Sequence, residues 1–139
     1  MFRLAETDLD RIGVYAVRAI VFMEEQNVSW AEEFDEYDAS ALHILGKENG
    51  EPFACGRILI DGTTALFGRL AIRKKWRGQG HGAALLDFML STARILGCTS
   101  YELHAQTHAI GFYARRGFVQ QGDVFDEAGI PHVTMMRRD

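Results

Sequence analysis

Apolar residues along the chain fall at every second place in some stretches and at every third or fourth in others, and the switches between these spacings mark its elements. Residues 2–6, Phe2 to Glu6, predict a short strand. Thr7 and Asp8 then offer an N-cap, after which Leu9, Ile12, Ala16, Ala19, Ile20 and Met23 recur at helical spacing to about residue 24. Residues 24–38 read as an acidic loop with room for one helical turn. Two strands follow over 41–47 and 52–60, and Asn49-Gly50 between them is a hairpin signal. Asp61-Gly62 turns the chain into a third strand at 65–72. A helix is expected from about Gly80 to Leu96, with Gly97 as its left-handed stop. A strand over 99–105, a short helix over 109–116 ended by Gly117, and two strands over 118–125 and 131–137 complete the order.

This order, β-α-β-β-β-α-β-α-β-β, predicts an α+β sandwich. Its one sheet is mixed and mainly antiparallel, with helices on its faces. The exception is the 65–72, helix, 99–105 unit, which must cross over and is expected to be parallel and right-handed. The whole of residues 1–139 is expected to form one domain.

Composition adds less than the pattern does. The chain is 47% hydrophobic with two prolines, which excludes a disordered class. No apolar run approaches a membrane span, and the first residues carry no signal-peptide h-region, so a cytoplasmic location is expected. Cys55 and Cys98 read as small buried hydrophobes. A net charge of −4 argues against nucleic-acid binding. The charge is unevenly spread, however: residues 1–72 hold 13 acids and 6 bases, residues 73–139 hold 6 acids and 9 bases. One half suits a cation and the other an anion.

The basic half contains the most informative stretch, Arg73-Lys74-Lys75-Trp76-Arg77-Gly78-Gln79-Gly80-His81-Gly82, directly before a helix. Helix N-termini present unbonded N–H groups and partial positive charge, and glycines let the backbone approach an anion closely. Arg77, Gly78, Gln79, Gly80, His81 and Gly82 are therefore expected to cradle a phosphate. A mononucleotide P-loop is excluded, because His81-Gly82 follows Gly80 where Lys-Ser/Thr is required. A dinucleotide fold is disfavoured, because six residues separate the strand end from the glycine turn.

The loop Arg77–Gly82 resembles the (Gln/Arg)-x-x-Gly-x-Gly/Ala signature of the GNAT N-acetyltransferases. Residues 104–118, His-Ala-Gln-Thr-His-Ala-Ile-Gly-Phe-Tyr-Ala-Arg-Arg-Gly-Phe, are similar to the second signature of that family, with Ala109, Tyr113, Gly117 and Phe118 in register and Gln106 in place of the usual Asn. The stretches 21–28, 32–43 and 127–136 are also similar to a bacterial subgroup typified by ElaA and YjcF. The resemblance implies acetyl-CoA as co-substrate, with no metal. It places the diphosphate on 77–82 and the pantetheine arm along Leu70, Ala71 and Ile72, where the backbone of the 65–72 strand would pair with it if that strand splays from 99–105. It implies Tyr113 as the acid for the leaving thiolate, and Gln106 as a ligand of CoA or water.

The base is less specified. Glu24, Glu25, Glu32, Glu33, Asp35, Glu36 and Asp38 form an acidic run without a base between, read either as a solvated loop or as a field that attracts an ammonium. Glu25 is the first candidate, His104 the second and His132 the third. His104 and His108 straddle a strand end and a helix start, so a zinc site is not expected. Phe22, Trp30, Phe34 and Tyr37 either wall an acceptor pocket or cap the core. The expected function is amine acetylation in a ternary complex, with a small-molecule amine as acceptor, no nucleic-acid or membrane partner, and a homodimer left open. The alternatives are a non-catalytic acyl-CoA sensor and, less favoured, a nucleotide-dependent oxidoreductase.

Overall fold

The computed structural model describes all of residues 1–139. Seven strands form one sheet in the order β1-β2-β3-β4-β5-β7-β6. They are β1 (Phe2–Leu4), β2 (Leu42–Glu48), β3 (Glu51–Asp61), β4 (Thr64–Ile72), β5 (Ser100–Gln106), β6 (Val119–Glu127) and β7 (Ile130–Arg138). Every pairing is antiparallel except that of β4 with β5, which is parallel across the crossover helix α3 (His81–Ile95). The β2–β3 turn is built on Asn49 and Gly50, at φ 51° and 80°, the pair of positive values that a type I′ hairpin requires.

Successive residues of a strand face opposite sides of the sheet, and here both sides are covered. On one side α3 buries Leu85, Leu86, Met89, Leu90 and Ala93 against Ile44, Ile58, Phe67, Tyr101 and Leu103. On the other, α1 (Asp8–Arg18) and the turn after it bury Val14, Val17 and Val21 against Leu45, Cys55 and Ala71. Each valine, leucine, isoleucine, phenylalanine or methionine among them contributes about 1.5–3 kcal/mol by leaving water.

The apolar stripe read for the first helix is not the one that faces the sheet. Leu9 and Ile12 are 74% and 61% exposed, while the buried face is Asp10, Gly13, Val14, Val17 and Arg18. Two apolar stripes interleave on this helix, and the choice between them is steric. A Cβ at Gly13 would lie 3.0 Å from Pro52 Cγ, so glycine lets the helix approach β2 and β3 closely. Thr7 caps the helix as expected, its side chain accepting from the Asp10 N–H.

Two other elements differ from their expected form. The first helix does not end near residue 24 as an α-helix but widens into a π-helix over Ala19–Glu25, closed by the Gln26 N–H donating to the Val21 carbonyl. The acidic segment folds as two short turns, α2 (Trp30–Glu33) and a 3₁₀ turn at Glu36–Ala39, each capped by the residue before it, Ser29 and Asp35. The helix expected over 109–116 is a 3₁₀ turn at Thr107–Ala109 followed by the shorter α4 (Ile110–Ala114), with Gly117 at φ 84° turning the chain into β6.

Candidate active site

β4 and β5 run paired only from Thr64–Ser100 to Phe67–Leu103. Past that point β5 continues on β7, through His104 opposite Thr134 to Gln106 opposite His132. β4 instead continues on β3, with Ala71 opposite Cys55 and Ile72 opposite Ala54. The strands part, and the edge of Gly68–Ile72 that would face β5 has no strand beside it. A cleft of about 1000 Å³ opens there, lined by Leu70, Ala71, Ile72, Arg77, Gln106 and Tyr113 among others. A bulge in β4 helps the strands diverge: between the Arg57–Gly68 and Cys55–Ala71 pairs β4 carries one more residue than β3, and Arg69 there has φ 54°.

A non-glycine residue in that conformation costs roughly 1–2 kcal/mol, so something must hold it. Arg69 donates through Nε to Glu33 Oε2 (3.0 Å) and through Nη2 to the Glu33 carbonyl (2.7 Å). Glu33 is shared with Arg18, a side chain with no exposed surface, which also grips both Asp38 oxygens (2.6 and 3.1 Å) and lies 4.7 Å over the Phe34 ring. Arg57 bonds Asp35 and Asp38 through Nη1 (2.8 and 3.0 Å). Burial pushes the Asp38 carboxyl up, but Arg18, the Asp35 N–H and Arg57 outweigh it and hold it at about 2. Burial raises Glu33 against the pull of Arg18 and Arg69. The acidic run is therefore neither a free solvated loop nor an open negative field. Three of its carboxylates are matched by Arg18, Arg57 and Arg69, none of which lies within the run. The signal in the sequence was Arg18 itself, four residues after Val14 on a buried helix face.

The glycine loop leads from the end of β4. Lys74–Trp76 form a 3₁₀ turn anchored by Trp76, which stacks on Phe53 (5.4 Å, 25°) and donates its indole N–H to Glu48. Trp76 is thus a core anchor. Gly78 and Gly80 take φ 76° and 83°, with Gly80 as the N-cap of α3. The first helical bond runs from the Ala84 N–H to the Gly80 carbonyl (3.2 Å), and the N–H groups of residues 78–83 donate to no protein acceptor. All of these residues but Gln79 border a second concavity of about 560 Å³, lined also by Arg77, Arg115 and Arg116. Open space lies beside Cα of both Gly78 and Gly80, with no atom within 4 Å of a Cβ built on either. Free donors, three guanidinium groups and that space fit a diphosphate. Arg115 and Arg116 were missed in the sequence reading, although two adjacent cations before Gly117 were visible in it. Within the loop, the Gln79 amide turns back to the Lys75 carbonyl (3.3 Å), and the His81 ring packs 4.8 Å from Phe53.

Tyr113 lies in the wall of the large cleft, edge-on to Phe112 (5.0 Å) and Phe118 (6.0 Å). Burial pushes its phenol up to about 12, and its hydroxyl has no protein partner. Gln106 is fixed from two sides, donating to Gln26 Oε1 (2.8 Å) and meeting His108 Nε2 (2.8 Å). Glu25, the first base candidate, is tied to Arg77 at 2.7 Å, and Arg77 Nε donates to the Ile72 carbonyl (2.7 Å). His104 is the first β5 residue past the point where the strands part; its Nδ1 is 2.9 Å from Glu127 Oε1. His132 bonds the Ile130 carbonyl through Nδ1 (2.7 Å). Phe22 and Tyr37 line the cleft, whereas Phe34 packs on Tyr15 and Trp30 on Phe34. Cys55 and Cys98 are core residues; burial lifts the Cys55 thiol to about 12, and it donates to the Arg69 carbonyl (3.2 Å). Glu127, on β6, had no local signal in the sequence.

Residues 13–138 match the family profile described as an acetyltransferase (GNAT) domain. YyaT of Bacillus subtilis is 40% identical over 134 residues, covering 94% of this chain and 90% of its own. ElaA of Escherichia coli is 33% identical over 147 aligned positions, covering 96% of this chain and 93% of its own, and its crystal structure superimposes with a TM-score of 0.89 over 99% of both chains. The crystal structure of an acyl-CoA N-acyltransferase from Pseudomonas aeruginosa gives a TM-score of 0.86 at 30% identity, over 99% of this chain and 97% of that one.

Proposed function

The chain belongs to the GNAT family of acyl-CoA-dependent N-acyltransferases, and from that premise we propose that it passes the acetyl group of acetyl-CoA to an amine held in the cleft between β4 and β5. The observation that carries this reading is the continuity of two surfaces. The unpaired edge of Gly68–Ile72 runs directly into the loop whose N–H groups, from Gly78 to Ala83, are unbonded.

In this reading the diphosphate sits on the 78–83 N–H groups, with Arg77, Arg115 and Arg116 matching its charge. Leu70, Ala71 and Ile72 offer backbone donors and acceptors to the pantetheine amides, as an added strand would use them. A backbone N–H at Ala71 or Ile72 stabilises charge developing on the thioester oxygen. Acetyl-CoA supplies the activated acyl group, and the amine attacks it directly in a ternary complex. Gln106, clamped by Gln26 and His108, presents an oriented amide to the cleft. Tyr113 keeps its proton at neutral pH, as a phenol does and as burial further ensures, and can give that proton to the departing sulfur. The acceptor is a small molecule carrying a primary amine. Leu59, Leu66 and Phe67 give the cleft apolar walls around it.

Release of free CoA from acetyl-CoA across an amine library tests the reading. Some amine is expected to raise the rate well above hydrolysis. Tyr113→Phe is expected to lower that rate about 100-fold, at the low end for a general acid, while acetyl-CoA still raises the melting temperature as before. Release no faster than hydrolysis with every amine contradicts the transfer function, and an unchanged rate in Tyr113→Phe removes the acid role.

A further inference from the structure

The amine arrives as an ammonium at neutral pH and must lose a proton before its lone pair can attack. The residues first considered for this differ sharply in their surroundings. Glu25 is neutralised by Arg77, and Glu33, Asp35 and Asp38 by Arg18, Arg57 and Arg69. His108 is spent on Gln106, and His132 is buried, with Nδ1 on a carbonyl and Nε2 turned to Glu127 at 3.6 Å. His104 is different. One ring nitrogen, Nδ1, meets Glu127 Oε1 at 2.9 Å, and the other, Nε2, has no protein partner. The ring is half exposed in the cleft wall, edge-on to Phe125 (5.1 Å, 80°), immediately past the last β4–β5 pair.

We propose that His104 Nε2 takes the proton from the acceptor ammonium, and that Glu127, delivered by the β6–β7 hairpin, is the positioning residue that fixes His104 for this. The assignment rests on the acyl-transfer reading above. A carboxylate accepting from Nδ1–H sets the tautomer, leaving Nε2 with its lone pair toward the cleft. The remaining charged neighbours favour a cation. Glu102 lies on the same strand, and on β7 His132 Nε2 is 3.6 Å from Glu127 Oε2. Arg69 on β4 acts on Glu127 from farther off. With Arg57 and Arg69 already matched by Asp35, Asp38 and Glu33, Glu102 and Glu127 draw the ammonium to this end of the cleft.

The protons balance. The ammonium gives one to Nε2, forming an imidazolium stabilised by Glu127. The neutral nitrogen then forms the C–N bond as the C–S bond breaks, and the sulfur takes the Tyr113 proton. The proton that the nitrogen sheds in becoming an amide restores the phenol, and the imidazolium releases its own to solvent.

The hydrogen bond that His104 donates to Glu127 is the main cause that raises His104 above the ordinary 6.5, with Glu102 adding to it. Since the base acts unprotonated, the rate should fall on the acid side with a midpoint above 6.5, and removing the Glu127 charge should move that limb to lower pH. The test follows CoA release from acetyl-CoA with 2-phenylethylamine, an ammonium on an apolar body that suits the cleft walls, as a function of pH. Wild type is compared with Glu127→Gln and His104→Gln, and the His104 ring is titrated by NMR in the first two. Glu127→Gln should shift both the acid limb and the ring midpoint down. His104→Gln should lose roughly 100-fold in rate and the limb with it. All three proteins should keep the melting-temperature rise given by acetyl-CoA. A limb that stays in place in Glu127→Gln, or a full rate in His104→Gln, overturns the proposal while that rise stands. Loss of the rise in wild type would instead count against the acyl-transfer reading. If 2-phenylethylamine is not turned over, the ring titration decides: a midpoint indifferent to Glu127→Gln overturns the pairing, and one that drops upholds it.

Discussion

Gly80→Glu is expected to raise the dissociation constant of acetyl-CoA by more than about 100-fold and to erase its effect on the melting temperature, in a protein that still folds. Gly80 is the N-cap of α3 at φ 83°, and no atom lies within 4 Å of a Cβ built on it. A glutamate side chain therefore meets no core. It enters the concavity of about 560 Å³ bordered by Arg77, Arg115 and Arg116. Its carboxylate pairs with the guanidinium groups meant for the diphosphate and repels the ligand. The backbone penalty of a side chain at positive φ, roughly 1–2 kcal/mol, is a separate effect. Gly62 provides the control: it has φ 62°, open space at Cβ, and a place in the β3–β4 turn outside both concavities. Gly62→Glu should carry a similar backbone cost and bind acetyl-CoA normally. Equal losses in the two variants would show that strain, and not occupation of the cradle, was measured.

Arg18→Ala should destabilise the fold by about 3 kcal/mol, the low end for a broken buried ion pair, because Glu33 and Asp38 lose their fully buried partner and keep only Arg69 and Arg57. That is a large part of the total for a domain of this kind, about 5–15 kcal/mol. Arg18 is fully buried, and Glu33 and Asp38 reach it from two separate turns. The loss is readable by denaturant unfolding, and its pH dependence identifies its origin. In the parent protein Asp38 is held at about 2, below the ordinary 3.8. It therefore contributes stability that is present above pH 4 and lost as pH falls toward 2. Arg18 is the largest of the groups that hold Asp38 low, with the Asp35 N–H and Arg57 behind it, so its removal takes most of that contribution, and the deficit of the variant should be greatest near neutrality and shrink below pH 4. A deficit independent of pH would mean that lost packing, not stranded charge, is responsible. Glu33 also holds Arg69 at the β4 bulge, so whatever protein remains folded should bind acetyl-CoA less tightly.

Local signals in the sequence were enough for most of the fold. Asn49-Gly50, Gly97 and Gly117 stop or turn their elements at the expected places, because each of these glycines sits at positive φ, where most side chains would be strained and Asn is among those that tolerate it. The alternating strands were legible for the same reason of period. What failed was anything that depended on a partner far along the chain. The face of α1 could not be chosen from its two apolar stripes without Pro52 in place beside Gly13. The π-helix adds a residue to a turn without altering residue types, so no spacing announces it. The acidic run read as unpaired because its three arginines lie 15, 19 and 36 residues away from the acids they bond. The same division holds at the candidate site. The glycine loop, Tyr113 and the β4 edge are contiguous motifs. The pairing of His104 with Glu127 spans 23 residues and two strands, and only the folded sheet brings them together.

The central claim is that the β4 edge beyond Gly68 and the glycine loop form one continuous seat for acetyl-CoA. A crystal structure of the protein with that molecule bound tests it most directly. The account predicts the diphosphate on the N–H groups of Gly78 to Ala83 and the pantetheine amides paired with Leu70, Ala71 and Ile72. A diphosphate seated away from residues 78–83, or an arm that leaves the β4 edge unpaired, would contradict it.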